Sequence, residues 1–478
     1  MQRGDDDNQD GETGGSIESK DPSIFHDRIN APSFTSVIKS PYQITESMLR
    51  SVHQVGNPKV DYSEVKENRS TAQMLRSLFR RLPFWVSHHR RLCVVVVLVP
   101  VVVFILRREQ RRRHHWRYNF HPKASAFPMP KLGLEETTDG KLYAPAPIER
   151  YLITNARRLG LDPVIETNAT TVPYVNGCDI WDGEKTTNPD DERNLVQAMQ
   201  QYQKELRSYT EKMDTMGPMT DLRQQLRASN WSNVKAVCHQ VTLQPEDIFT
   251  SGQYSQIEHS GFLEPLYPPF RHYPFCTDPN TNLLNLDYLV HDFGSLCRRL
   301  RPHSRLVLFD IGASLSFHRP DGDQKSPALY LDHLYRSMGF PFDHIYGFEV
   351  TPQDPVDVYE RYLPREWLSA YHWINVGVSA DPDSNMNPWN WILDSFTADD
   401  IVIVKLDIDT AAVEIPLVLQ LLEHPSLHER IAHLYFEHHV ALEDIAPWWK
   451  RSAVGTVMES MHLFASLRRK GIAAHFWV

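Results

Sequence analysis

The chain has 478 residues, 41% of them hydrophobic and 23% charged, with 50 Lys+Arg against 60 Asp+Glu for a formal net charge of -10. That length exceeds one ordinary domain, the apolar share excludes uniform disorder, and a mean hydropathy of -0.43 excludes a polytopic membrane protein. The acidic balance argues against a nucleic-acid partner, and five cysteines are too few for a disulfide scaffold.

Residues 1–70 open acidic and Gly-rich and show no apolar period, so a disordered N-terminal region is expected. Residues 71–91 form a basic juxtamembrane segment, and Leu92 to Leu106 (LCVVVVLVPVVVFIL) contains no charge. Arg90, Arg91, Arg107 and Arg108 bracket this run of fifteen, which is short for a spanning helix. Snorkelling arginines extend its reach, and we read it as a transmembrane helix rather than a buried strand. Residues 107–150 read as a basic, Pro-rich stem.

Orientation draws opposing signals. Five arginines from Ala72 to Arg91 face seven basic residues from Arg107 to Ala126, which favours a cytoplasmic C-terminal side. Glycosylation patterns at Asn168 and Asn230 lie after the span, although Asn68 lies before it. Cys178, Cys238, Cys276 and Cys297 form two disulfides in an oxidising lumen or stay reduced elsewhere. The reading adopted is a single-pass signal anchor in the Golgi or endoplasmic reticulum, with lipid as a partner and the C-terminal part lumenal.

Residues 151–300 form an accessory region. Leu195, Met199, Tyr202 and Leu206 fall on one side of a helix predicted over Asp190 to Met213, and Met219 to Ala228 suggests another. Residues 301–478 alternate short apolar runs with helical stretches. Strands are predicted at Leu306–Ile311, His344–Glu349, Tyr371–Val378, Ile401–Ile408, Ile431–Phe436 and Gly471–Val478. Helices fall at Ala328–Met338, Val356–Tyr362, Val413–Glu423 and Gly455–Arg469. Such alternation implies an α/β fold with a mostly parallel sheet and helices on both faces, whose ligands bind beyond the strands' carboxyl ends.

The polar residues sit there. Asp310, Gly312 and Ser314 follow the first strand, where glycine permits a tight turn close to a ligand. Glu349 closes the second strand, placed to accept both hydroxyls of a ribose; its plainer role is a helix N-terminal acid. Asp407 and Asp409 lie two apart at the fourth strand's end, so strand alternation would turn both into one cleft. Glu437-His438-His439 ends the fifth strand. One reading makes His438 or His439 a general base, with Asp407 and Asp409 orienting it or binding a metal; the other makes the group a hydrogen-bonded structural cluster. No cysteine lies near enough to complete a zinc site.

FDIGAS, YGFE, NVGVS, IVKLDIDTAAVE and YFEHHV, in that order from Pro302 to Val478, resemble the FkbM-type branch of S-adenosylmethionine-dependent methyltransferases. The resemblance implies a Rossmann-like methyltransferase fold and S-adenosyl-L-methionine as cofactor. It implies cofactor contacts at Asp310, Gly312 and Ser314, ribose contact at Glu349, and Asp381 near the adenine. Ser314 and Ser316 replace the family's Asn and second Gly, the fourth-strand motif lacks its Gly, and 39 residues separate Asp310 from Glu349. The expected function is O-methylation of a glycan or another small secretory-pathway hydroxyl acceptor. Alternatives are a catalytically silent methyltransferase-like binding domain, or a glycosyltransferase using Asp407-Ile-Asp409 to hold a metal.

Overall fold

The structure, a computed structural model, describes residues 122–478 apart from 128, 130–141, 167–168, 182–188, 268–275, 277, 279–282, 315–326, 450–451 and 478. The span at 92–106, the basic segment before it, most of the stem, Asn168 and Ser316 lie outside the described residues. Among the described residues no helix is long and apolar enough to cross a membrane.

The accessory region begins with strand β1 (Tyr143–Ala144) and helices α1 (Pro147–Thr154), α2 (Pro189–Met216), α3 (Leu222–Ala228) and α4 (Val234–His239). Strands β2 (Ser255–Ile257) and β3 (Gly261–Leu263) join β1 in an antiparallel sheet. Helix α5 (Phe293–Arg299) closes the region. Sequence periodicity found α2, whose Leu195, Met199, Tyr202 and Leu206 are all buried. It missed the small sheet, because strands of two or three residues are too short to show a period of two. Cys178 is bonded to Cys276, and Cys238 to Cys297.

A parallel sheet of six strands follows: β4 (Leu306–Ile311), β5 (His344–Phe348), β6 (Tyr371–Ile374), β7 (Ile401–Leu406), β8 (Ile431–Phe436) and β9 (Ala473–Phe476). Its order is β6-β5-β4-β7-β8-β9, and every pairing is parallel. Every residue of β4, β7 and β8 is buried, which explains their continuous apolar runs. Helices α6 (Pro327–Ser337), α7 (Pro388–Ser395), α8 (Ala411–Glu423), α9 (Pro425–Arg430) and α10 (Val457–Arg469) flank the sheet. The fold is therefore α/β and Rossmann-like, as expected.

Local chemistry fixes the element ends. Helix α10 starts at Thr456, whose side chain accepts from Glu459 N while the Glu459 carboxylate accepts from Thr456 N. Helix α7 is not among the helices expected from the sequence; Asn387 caps it, and Trp389 is buried with its Nε1 donating to Leu417 O.

Successive strands run outward from β4 in one direction and then, from β7, in the other. The order thus reverses between β4 and β7, which is where open sheets of this kind leave a crevice.

Candidate functional site

The turns after β4 and β7 meet in that crevice. Gly312 has a φ of +94°, and a Cβ there would lie 1.6 Å from Asp407 O. Only glycine lets the two backbones approach so closely. Asp407 N donates to Ile311 O (2.9 Å), and Gly312 N and Ala313 N both donate to Phe348 O at 3.0 and 2.9 Å. The ends of β4, β5 and β7 are thereby tied together.

Beneath the turn, Asp310 and Lys405 are register partners and form a buried ion pair of 3.0 Å. Lys405 Nζ also lies 3.4 Å from Asp407 Oδ2 and donates to Gly312 O at 3.1 Å. Burial disfavours the ammonium, but the Asp310 and Asp407 carboxylates more than offset this and hold it above its ordinary range. Asp310 is 1% exposed, so its carboxylate shapes the turn from below. Across β5, Gly347 leaves room for Tyr371 from β6, whose Oη would lie 2.1 Å from a Cβ there.

Glu349 stands one residue beyond β5, half-buried, with its Oε1 accepting from Thr351 N at 2.6 Å. Asn375 Nδ2 donates to the Glu349 and Thr351 carbonyls at 2.6 and 2.8 Å and so fixes this corner. Ser314 N closes a tight turn onto Gly312 O at 2.9 Å. Asp381 is exposed and caps its own loop through Asp383 N (3.1 Å).

The carboxyl ends of β7 and β8 carry the densest ionisable cluster. His439 Nε2 lies 3.0 Å from Glu437 Oε2 and 3.6 Å from Asp409 Oδ1. Trp449 Nε1 donates to Glu437 Oε1 (2.9 Å), and its ring stacks on His439 at a centroid distance of 4.8 Å. Glu414, from the first turn of α8, accepts from Ile408 N at 2.8 Å, and burial pushes its carboxyl up to about 7. Asp407 and Glu437 act on each other electrostatically. Burial, with the Glu437 charge, drives Asp407 well above the usual carboxylate range. Burial also opposes the Glu437 charge, but its neighbours His439, Asp407 and Trp449 bring Glu437 down to about 2. The two buried carboxyls are thus pushed in opposite directions.

Of the residues expected to act together, Asp409 and His439 meet, Asp407 adjoins them through Glu437, and His439 rather than His438 is the histidine of the group. The reason differs from the sequence argument. Strand β7 ends at Leu406, and Asp409 has a left-handed φ of +56°, so the turn rather than strand alternation brings it round. His438 is not in the group. Its ring packs on Phe436, its Nδ1 is paired with Ser460 Oγ at 2.9 Å, and burial takes it down to about 3. Lys405, Glu414 and Glu437 were not singled out as site residues. A lone lysine inside IVIVKL was the available sign, since a buried lysine needs counter-charges.

A second histidine cluster lies on the sheet's face, under the accessory region. Lys405, Tyr435 and His475 are successive register partners across β7, β8 and β9. His433 Nδ1 pairs with His475 Nε2 at 3.0 Å, and His475 Nδ1 with Glu264 Oε1 at 2.9 Å. His291 Nε2 pairs with Tyr435 Oη at 2.6 Å. Arg468 donates to Glu264 Oε1 at 2.9 Å.

No protein-family model, curated protein or solved structure matches this chain.

Proposed function

We propose that the protein is a membrane-anchored, S-adenosyl-L-methionine-dependent O-methyltransferase. The observation that carries this reading is the pairing of the Gly312 turn with Glu349 at the carboxyl ends of adjacent strands, beside the order reversal between β4 and β7. Glu349 would hold the ribose of a nucleoside seated there, and the backbone of residues 312–314 would hold its charged end. Ordered motifs resembling the FkbM-type methyltransferase branch, and the Rossmann-like methyltransferase fold they imply, support the same choice of ligand.

In the reaction the acceptor oxygen attacks the donor's methyl carbon, the C–S bond breaks as the C–O bond forms, and the acceptor loses one proton. The protein's main contribution is to align donor and acceptor. Asp407 lies against the Gly312 turn, and we assign Asp409 and His439, beyond it at the strand ends, to the acceptor side. Asp310 and Lys405 act from below, by fixing that turn.

The Cys178–Cys276 and Cys238–Cys297 disulfides support an oxidising compartment, hence a lumenal domain in the Golgi or endoplasmic reticulum and a glycan or similar small hydroxyl acceptor. Incubating the full chain with methyl-labelled donor and secretory glycans tests the reading. Label recovered in an alkali-stable ether supports it. Donor binding without transfer to any hydroxyl would favour the silent binding domain.

A further inference from the structure

We propose that Asp409, Glu437 and His439 form a binding site for a divalent transition-metal cation. The site stands on its own geometry; only its catalytic use rests on the methyltransferase reading.

Hydrogen-bond accounting at His439 is the central observation. Ser452 Oγ has one proton and donates it to Trp449 O at 2.6 Å. Ser452 can therefore only accept from His439 Nδ1, with which it is paired. That places the proton of a neutral imidazole on Nδ1 and turns a lone pair at Nε2 toward the carboxylates. The His439 side chain is 2% exposed, and Nε2 is buried without a hydrogen bond of acceptable geometry, although Glu437 Oε2 is only 3.0 Å away. A lone pair aimed at carboxylate oxygens calls for a cation between them, a second proton shared with Glu437 or a metal ion. An imidazole whose other nitrogen is held by a fixed acceptor is also the arrangement metal-ligating histidines adopt.

The remaining geometry agrees. One ligand atom from each of the three residues lies within 4.8 Å of the others. Donors about 2.0–2.2 Å from one ion sit about 3.0–3.5 Å apart, close to the 3.0 and 3.6 Å found here. Trp449 orients two of the ligands, by its hydrogen bond to Glu437 and its stacking on His439. Asp409 is 81% exposed, so the opposite side of an ion would remain open to water or substrate. One imidazole with two carboxylates suits manganese, iron or zinc better than calcium. An acceptor hydroxyl on the open positions would become more acidic, easing loss of its proton during methyl transfer. The second histidine cluster offers no comparable site, since His475 has both ring nitrogens engaged and His433 Nδ1 is one of their partners.

Manganese binding by the chelator-stripped full chain tests this, read from the electron paramagnetic resonance signal of the free ion with no donor present. One equivalent should be retained. Asp409→Asn, at an exposed position that leaves packing intact, and His439→Gln should each weaken retention by at least about tenfold, the scale on which even outer partners of a metal ligand act. Failure to retain manganese, or retention unchanged in Asp409→Asn, overturns the proposal. Donor binding is a separate titration, so loss of one does not entail loss of the other.

Discussion

The two polar clusters on this sheet are built from the same residue types and differ in how they are closed. On the face, His433, His475, Glu264 and Arg468 answer one another, and all are buried under the accessory region. At the strand ends, His439 and Glu437 are equally well held from behind but look out past an exposed Asp409. Histidines and carboxylates in proximity therefore do not identify a site. A buried donor whose remaining valence faces solvent does. The first cluster joins the accessory region to the sheet, and the second has capacity left for a ligand.

The sharpest way to break this contrast is to remove the cation from the closed cluster. Arg468→Leu leaves Glu264 and the nearby Glu149 (3.9 Å) buried without their guanidinium, and should cost about 3–5 kcal/mol in denaturant unfolding. A loss below 1 kcal/mol, on the order of a surface pair, would mean the network is not structural. Next, Gly312→Ala forces a Cβ into Asp407 O and strains a left-handed backbone, at about 1–3 kcal/mol for the strain alone. It should also abolish donor binding, while the closed cluster stays intact by histidine NMR.

Acid should act on the buried histidines. Burial lowers His291 and His433 well below 6.5, and His438 to about 3. The unfolded chain takes up protons from about pH 6.5 downward while these folded imidazoles remain neutral. Their contribution to stability is thus present above 6.5 and is lost as pH falls toward 3. Melting temperatures at pH 7.5 and pH 5.0 check the sign; a higher value at pH 5.0 would contradict it. The smallest effect is expected at the open cluster, where Asp409→Asn should change folding stability by no more than about 0.5 kcal/mol. A large loss there would make Asp409 a structural residue.

The sheet was legible because buried parallel strands read as apolar runs, and β4 and β8 carry the predicted limits without change. Strands β6 and β7 end earlier than their apolar runs, since Val376 and Ile408 already belong to turns. The strand-end positions of Asp310, Glu349, Asp407 and His439 followed directly from those runs. Side-chain direction did not. His438 and His439 are neighbours in sequence, yet one turns beneath α10 and the other toward β7, and no period in the sequence distinguishes them. Partners from distant segments were equally hidden. Glu264 and His291 reach β9 and β8 from the accessory region, so the boundary drawn near residue 300 by composition is crossed by the core.

The proposed function requires an adenosyl donor to bind over the Gly312 turn with Glu349 on its ribose. Calorimetric titration of S-adenosyl-L-methionine into the full chain, beside Glu349→Ala, measures this directly. Saturable heat in the native protein and an affinity about tenfold weaker in the variant, near 1.5 kcal/mol for hydrogen bonds to a charged group, is the predicted result. Absence of heat at millimolar donor, or equal affinity in both proteins, would contradict it.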